Sequence, residues 1–90
     1  MLLNEAYHIV SKEVLNHPSV KGGVHAALLA LHESATKLWQ AVENQQTEKL
    51  SPRAAAALIS VFAVMRELGI TDPEACLVQK LEDLKTEGGS

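Results

Sequence analysis

The sequence is poor in the residues that most often mark a specialised function. It has one cysteine, Cys76, and one residue each of tryptophan, tyrosine and phenylalanine in 90 positions. A single cysteine cannot form an internal disulfide, so the chain lacks the framework of many small secreted domains and is predicted to act in the reducing cytoplasm. Because aromatic residues are scarce while 47% of the chain is hydrophobic, the core is predicted to consist mainly of Leu, Val and Ala.

Basic residues are also few. The chain has 8 lysines and arginines against 11 aspartates and glutamates, for a formal net charge of −3. Nucleic-acid binding relies on clustered basic residues that neutralise phosphates, so we expect no nucleic-acid partner. The N-terminus lacks the basic segment of a signal peptide, and the longest apolar stretch, residues 54–65, is shorter than the roughly 20 residues of a membrane span. We therefore expect no membrane partner.

What remains is a series of helical segments separated by turn signals. The first begins at Asn4, a good N-cap, and ends at Asn16, because Pro18 disfavours helical backbone at the residue before it. The second covers residues 24–45 without a helix breaker. Its apolar seam alternates steps of four and three, the spacing that keeps one face against a partner helix. The seam comprises Val24, Leu28, Leu31, Ala35, Leu38 and Val42.

Two further helices follow a polar connection. Ser51 is predicted to cap the third helix, with Pro52 in its first turn, and Gly69 ends it. Thr71 and Glu74 then have the spacing of a capping box at the start of a fourth helix. The apolar seam of this fourth helix consists of Leu77, Leu81 and Leu84.

These segments predict one all-α domain over residues 1–86, followed by a flexible tail at residues 87–90. We expect a four-helix bundle-like arrangement in which the second and third helices form a long central hairpin and the first and fourth are shorter. No internal repeat or second domain is visible in the sequence.

The third helix has an unusually wide apolar surface. Its hydrophobic residues cover roughly 220° of arc, well beyond the stripe of about 100° that a surface helix needs. The residues predicted to face outwards are Arg53, Ala56, Ser60, Ala63 and Glu67. Either the other helices surround this helix within one chain, or a second copy covers what one chain cannot. The second possibility makes interface candidates of Ala56, Ile59, Phe62 and Ala63.

The second helix offers another candidate surface. His25, His32 and Trp39 follow one another along a row beside its seam. A row in this place suits either the rim of a core or a contact with a partner, because tryptophan has a large apolar body and a polar N–H group.

Signals for chemistry are weak. Unpaired N–H groups at the start of the second helix favour anions, and the segment makes a candidate anion-binding site of Ser19, Lys21, Gly22, Gly23 and His25. The spacing of a phosphate-binding P-loop is absent. A Glu-x-x-His pair occurs only once, whereas a di-metal site in a bundle needs it twice. We expect no metal, no cofactor and no enzymatic activity.

The sequence therefore predicts a small helical protein–protein interaction or regulatory module. Its expected partner is itself, as a homodimer, or another protein. The alternative is a protein that binds a small molecule, nucleotide or phosphate at the N-terminus of the second helix.

Overall fold

A computed structural model of the chain consists of four α-helices. The structure describes residues 2–13 and 23–89. The helices are α1 (Leu3–Glu13), α2 (Gly23–Glu43), α3 (Thr47–Glu67) and α4 (Pro73–Gly89), and the described residues contain no strand. The most extensive packing is between α2 and α3, while α1 packs on α3 and on α4. The predicted all-α fold with a central hairpin and two shorter helices is thereby confirmed.

A tight turn joins the two helices of the hairpin. The N–H of Gln45 donates to the carbonyl of Val42, and the N–H of Gln46 donates to the carbonyl of Ala41. This pair of bonds is the Schellman motif, which satisfies carbonyls left open at a helix end. The motif requires a left-handed residue, and Gln45 occupies that position with a φ of 55°. A glycine would adopt this backbone with less strain.

The third helix begins one turn earlier than its sequence indicates. Its first residue is Thr47 and its N-cap is Gln46, which makes no side-chain capping bond. Ser51 is therefore not the cap, and Pro52 lies inside the helix rather than in its first turn. The short hairpin turn explains the difference, because it returns the chain to helical backbone at once. Pro52 then lies where a proline removes one backbone hydrogen bond and crowds the carbonyl of the preceding turn.

Small side chains form the contact between α2 and α3. Ala27 and Ala41 of α2 are buried, and between them Ser34 shares a hydrogen bond of 2.9 Å with Ser60 of α3. Ser60 was predicted to face outwards, but only 9% of its surface is exposed. The prediction was wrong because it turned the large apolar side chains of α3 inwards. The face with the smallest side chains lies against α2 instead, since small side chains let two helix backbones approach closely.

The fourth helix also starts with a cap other than the one predicted. The side chain of Asp72 accepts a hydrogen bond of 3.1 Å from the N–H of Ala75, so Asp72 rather than Thr71 is its N-cap. Pro73 occupies the first helical position, where a missing N–H costs nothing, and it is fully buried. Glu74 does not complete a capping box, because its side chain binds another helix.

Candidate interaction surface

The position of α4 is set by a contact between two helix N-termini. The backbone N–H of Asn4 in α1 donates to the Glu74 carboxylate at 2.9 Å, and the backbone N–H of Glu74 donates to the Asn4 side-chain oxygen at 3.1 Å. The Asn4 amide nitrogen also donates to Asp72 at 2.9 Å. Each helix therefore caps the other, and acidic groups lie at both positive ends of the helix dipoles. We call Asn4, Asp72 and Glu74 the clamp.

The clamp holds Asp72 in its ionised form. The hydrogen bond from Asn4, and after it the one from the Ala75 N–H, keep the pKa of the Asp72 carboxyl below its ordinary value of 3.8. Both donors favour the charged carboxylate over the protonated acid.

A small aromatic core fixes α1 against α3. Tyr7 is 4% exposed and packs edge-on against Phe62, with their ring centroids 5.4 Å apart. Its hydroxyl donates a hydrogen bond of 2.6 Å to the carbonyl of Ile70, in the connection to α4. Burial raises the pKa of Tyr7 above 10.0, an effect that the charge of Arg66 partly offsets. These contacts bring α1, the end of α3 and the start of α4 together at one end of the hairpin.

One face of the hairpin is left uncovered by the other described helices. An open apolar groove of about 370 Å³ runs along it, and we call this the hairpin groove. Trp39 and Val42 are 71% and 57% exposed there, and Leu28 and Leu58 extend the exposed apolar surface beside it. The groove is lined by Ala35, Leu38, Trp39, Val42, Glu43 and Ala57.

A second uncovered surface lies on α4. Leu77, Leu81 and Leu84, each about half exposed, form one row at steps of four and three, and we call this row the α4 ridge. Every residue of α4 from Ala75 to Glu87 is exposed, so beyond its first turn the helix does not pack closely on the other described helices. The predicted seam of this helix therefore has no partner among the described residues.

The structure separates the candidate residues of the row on α2. His25, His32 and Trp39 are all exposed. His32 borders a polar depression with Lys37 and Gln40, whereas Trp39 belongs to the hairpin groove. The three residues therefore do not form a single continuous site.

The candidates on α3 have different surroundings. Ala56 is exposed and Ile59 is 36% exposed, while Ala63 is partly covered. Phe62 is 3% exposed and packs on Tyr7 within the chain. Its side chain is therefore not accessible to a partner.

The candidate anion site falls largely outside the described residues. Ser19, Lys21 and Gly22 are not described, Gly23 begins α2 with a φ of 70°, and His25 is exposed. Within the described residues, no three His, Cys, Asp or Glu side chains gather where they would hold a metal ion. None of the described helices combines the length and apolar character that crossing a membrane requires.

Sequence reasoning identified the spacing of the α4 ridge but not its exposure. Leu77, Leu81 and Leu84 have the same spacing whether they face a core or a partner, and no local signal distinguishes the two. The clamp was also missed, because its bonds join residues about 70 positions apart and leave no local pattern.

Comparison of the chain with protein-family models, with curated proteins and with solved structures gave no match.

Proposed function

We propose that the protein is a small helical interaction module that associates with a second copy of itself. The observation that carries this proposal is the extent of apolar surface left uncovered in one chain. Among the described residues, the only large apolar side chains that are buried are Tyr7, Phe62 and Pro73. Trp39, Val42 and several leucines are exposed, and these residues lie on three helices.

The surface area supports this proposal quantitatively. The accessible surface of the chain is 6636 Å², whereas a folded monomer of 9.7 kDa has about 5,100 Å². This difference of roughly 1,500 Å² belongs to the chain as a whole, and it is comparable with the roughly 1,000 to 2,500 Å² that each subunit of an obligate homodimer buries. The radius of gyration, 14.8 Å, also exceeds the value of about 12 Å for a compact domain of this length.

The chemistry of the uncovered surface favours a protein partner. The hairpin groove and the α4 ridge are apolar, and contiguous exposed apolar surface is typical of contacts between proteins. The single cysteine fits a reducing compartment, so we propose that the protein acts in the cytoplasm.

The decisive measurement is the mass in solution, by light scattering after size exclusion, over about a hundredfold range of concentration. We expect a dimer or a larger assembly of defined size that dissociates on dilution. A monomer over the whole range would refute the proposal.

A further inference from the structure

We infer that the α4 ridge of one copy docks in the hairpin groove of a second copy, and that the second copy returns the same contact. This inference rests on the proposed self-association and adds which surfaces meet. Each subunit thus contributes one helix as an arm and one groove as its receptor, and the two equivalent contacts close a symmetric dimer.

The arm and groove of one chain are held apart. The groove residue Ala57 precedes Glu67, the end of α3, by ten residues, which is about 15 Å along the helix. Since α4 starts just beyond that end, it would have to fold back along the hairpin to reach the groove. The clamp ties the first turn of α4 to Asn4, and beyond that turn α4 is exposed rather than packed along the hairpin.

The two surfaces match in length. The ridge from Leu77 to Leu84 and the groove wall from Ala35 to Val42 each span seven residues, or about 10.5 Å. A single helix with leucines at steps of four and three is the natural occupant of a groove between two helices. Pairing of two α4 ridges with each other would leave both grooves open to water.

The charges at the edges are complementary as well. At 100° per residue, Lys80 and Glu87 flank one side of the α4 ridge and Lys85 flanks the other, so the two lysines leave a net positive charge beside it. The one charged residue that lines the hairpin groove is Glu43. Opposite charges beside an apolar contact orient the partners and disfavour other arrangements.

The area argument favours a second copy over a different partner. One chain exposes both a groove and a ridge, and its excess surface of roughly 1,500 Å² corresponds to one side of an obligate homodimer. A different protein that filled the groove would leave the ridge uncovered, whereas reciprocal exchange covers both surfaces with the chain's own residues.

The first test is a matched pair of single substitutions in α4, examined in the full chain by light scattering. Leu81→Glu places a charge on the ridge, and Gln79→Glu places the same charge on an exposed position away from it. A symmetric dimer contains two equivalent contacts, so the substitution removes the burial of two copies of Leu81. We therefore expect Leu81→Glu to weaken dimerisation roughly a hundredfold. Gln79→Glu should leave it unchanged, and the helix content of both variants should match the original chain by circular dichroism.

The second test asks whether ridge and groove meet each other. Ala35→Lys introduces a charge into the hairpin groove, with Gln40→Lys on the same helix as its control. We expect Ala35→Lys to weaken the dimer and Gln40→Lys to leave it intact. A mixture of Leu81→Glu and Ala35→Lys chains should then form heterodimers, because one contact pairs Glu with Lys and the other is unchanged. Native mass spectrometry separates these heterodimers from either homodimer.

The outcomes distinguish this inference from the proposed function. A wild-type chain that is monomeric at every concentration refutes both. A wild-type dimer that survives Leu81→Glu, or that Ala35→Lys leaves intact, refutes the arm exchange alone. The arm exchange would also be refuted if both single variants were weakened but their mixture formed no heterodimer. Only a ridge that lies in a groove brings the glutamate of Leu81→Glu in one chain close to the lysine of Ala35→Lys in the other.

Discussion

Replacing Asn4 by alanine should destabilise the protein although the side chain is small and only partly buried. The substitution removes the acceptor for the Glu74 N–H, at 3.1 Å, and the donor to Asp72, at 2.9 Å. An N-terminal capping bond contributes about 1 kcal/mol, within a range of roughly 0.5 to 2 kcal/mol. Since 1 kcal/mol shifts the melting temperature of a domain of this size by about 4 to 8 °C, we expect Asn4→Ala to melt about 4 to 8 °C lower.

Thermal unfolding followed by circular dichroism measures this effect. Chain concentration must be held constant, because self-association adds to the apparent stability. Asn44→Ala is the matched control, since Asn44 is exposed in the hairpin turn, and it should change stability by less than about 0.5 kcal/mol. Equal melting temperatures for the two variants would mean that Asn4 does not hold α4 in place. The inference that the clamp positions α4 for exchange with a second copy would then be wrong.

Three further predictions concern positions away from the arm. Gln45→Gly should raise the free energy of unfolding by about 0.5 to 1 kcal/mol because φ is 55° there, whereas Gln46→Gly should not; urea unfolding compares them. Ser60→Ala should cost about 1 kcal/mol because it leaves the Ser34 hydroxyl without its partner, whereas Ser34→Ala should cost less because the Ser60 hydroxyl still donates to the Ala56 carbonyl; the double variant should cost less than the sum of the two in a double-mutant cycle. Stability should fall as the pH drops below about 4, since the unfolded chain then binds a proton that folded Asp72 still excludes, and Asp72→Asn should flatten this fall in urea titrations at successive pH values.

Much of the fold followed from local signals in the sequence. Helical periodicity and the turn at Gly69 are properties of short segments, so they predicted the number of helices and the central hairpin. Gly69 adopts a φ of 78°, the backbone that its position at a helix end requires. Capping was less predictable. Asn4 and Glu74 have the residue types of local caps, but the side chain of each accepts a hydrogen bond from the backbone N–H of the other, in a different helix.

The rotation of each helix about its axis was the part that local signals did not determine. The predicted seam of α2 mixes two sides: Leu31 and Leu38 are partly covered, while Leu28 and Val42 are largely exposed. Both sets obey the same spacing, so periodicity indicates one broad apolar side without saying which half touches α3. The Ser34–Ser60 bond settles this, and a bond between polar residues 26 positions apart has no counterpart in a hydrophobic pattern.

The clamp also has a consequence for the order in which the chain folds. It joins residues 70 positions apart, whereas the hairpin joins helices that are neighbours in the sequence. Closing a long loop costs more chain entropy than closing a short one, so we expect the hairpin to form first and the clamp last. During synthesis the hairpin groove would then form before the clamp fixes the position of α4. Under the proposed exchange, a chain could pair with a second copy only after α1 and α4 have come into contact.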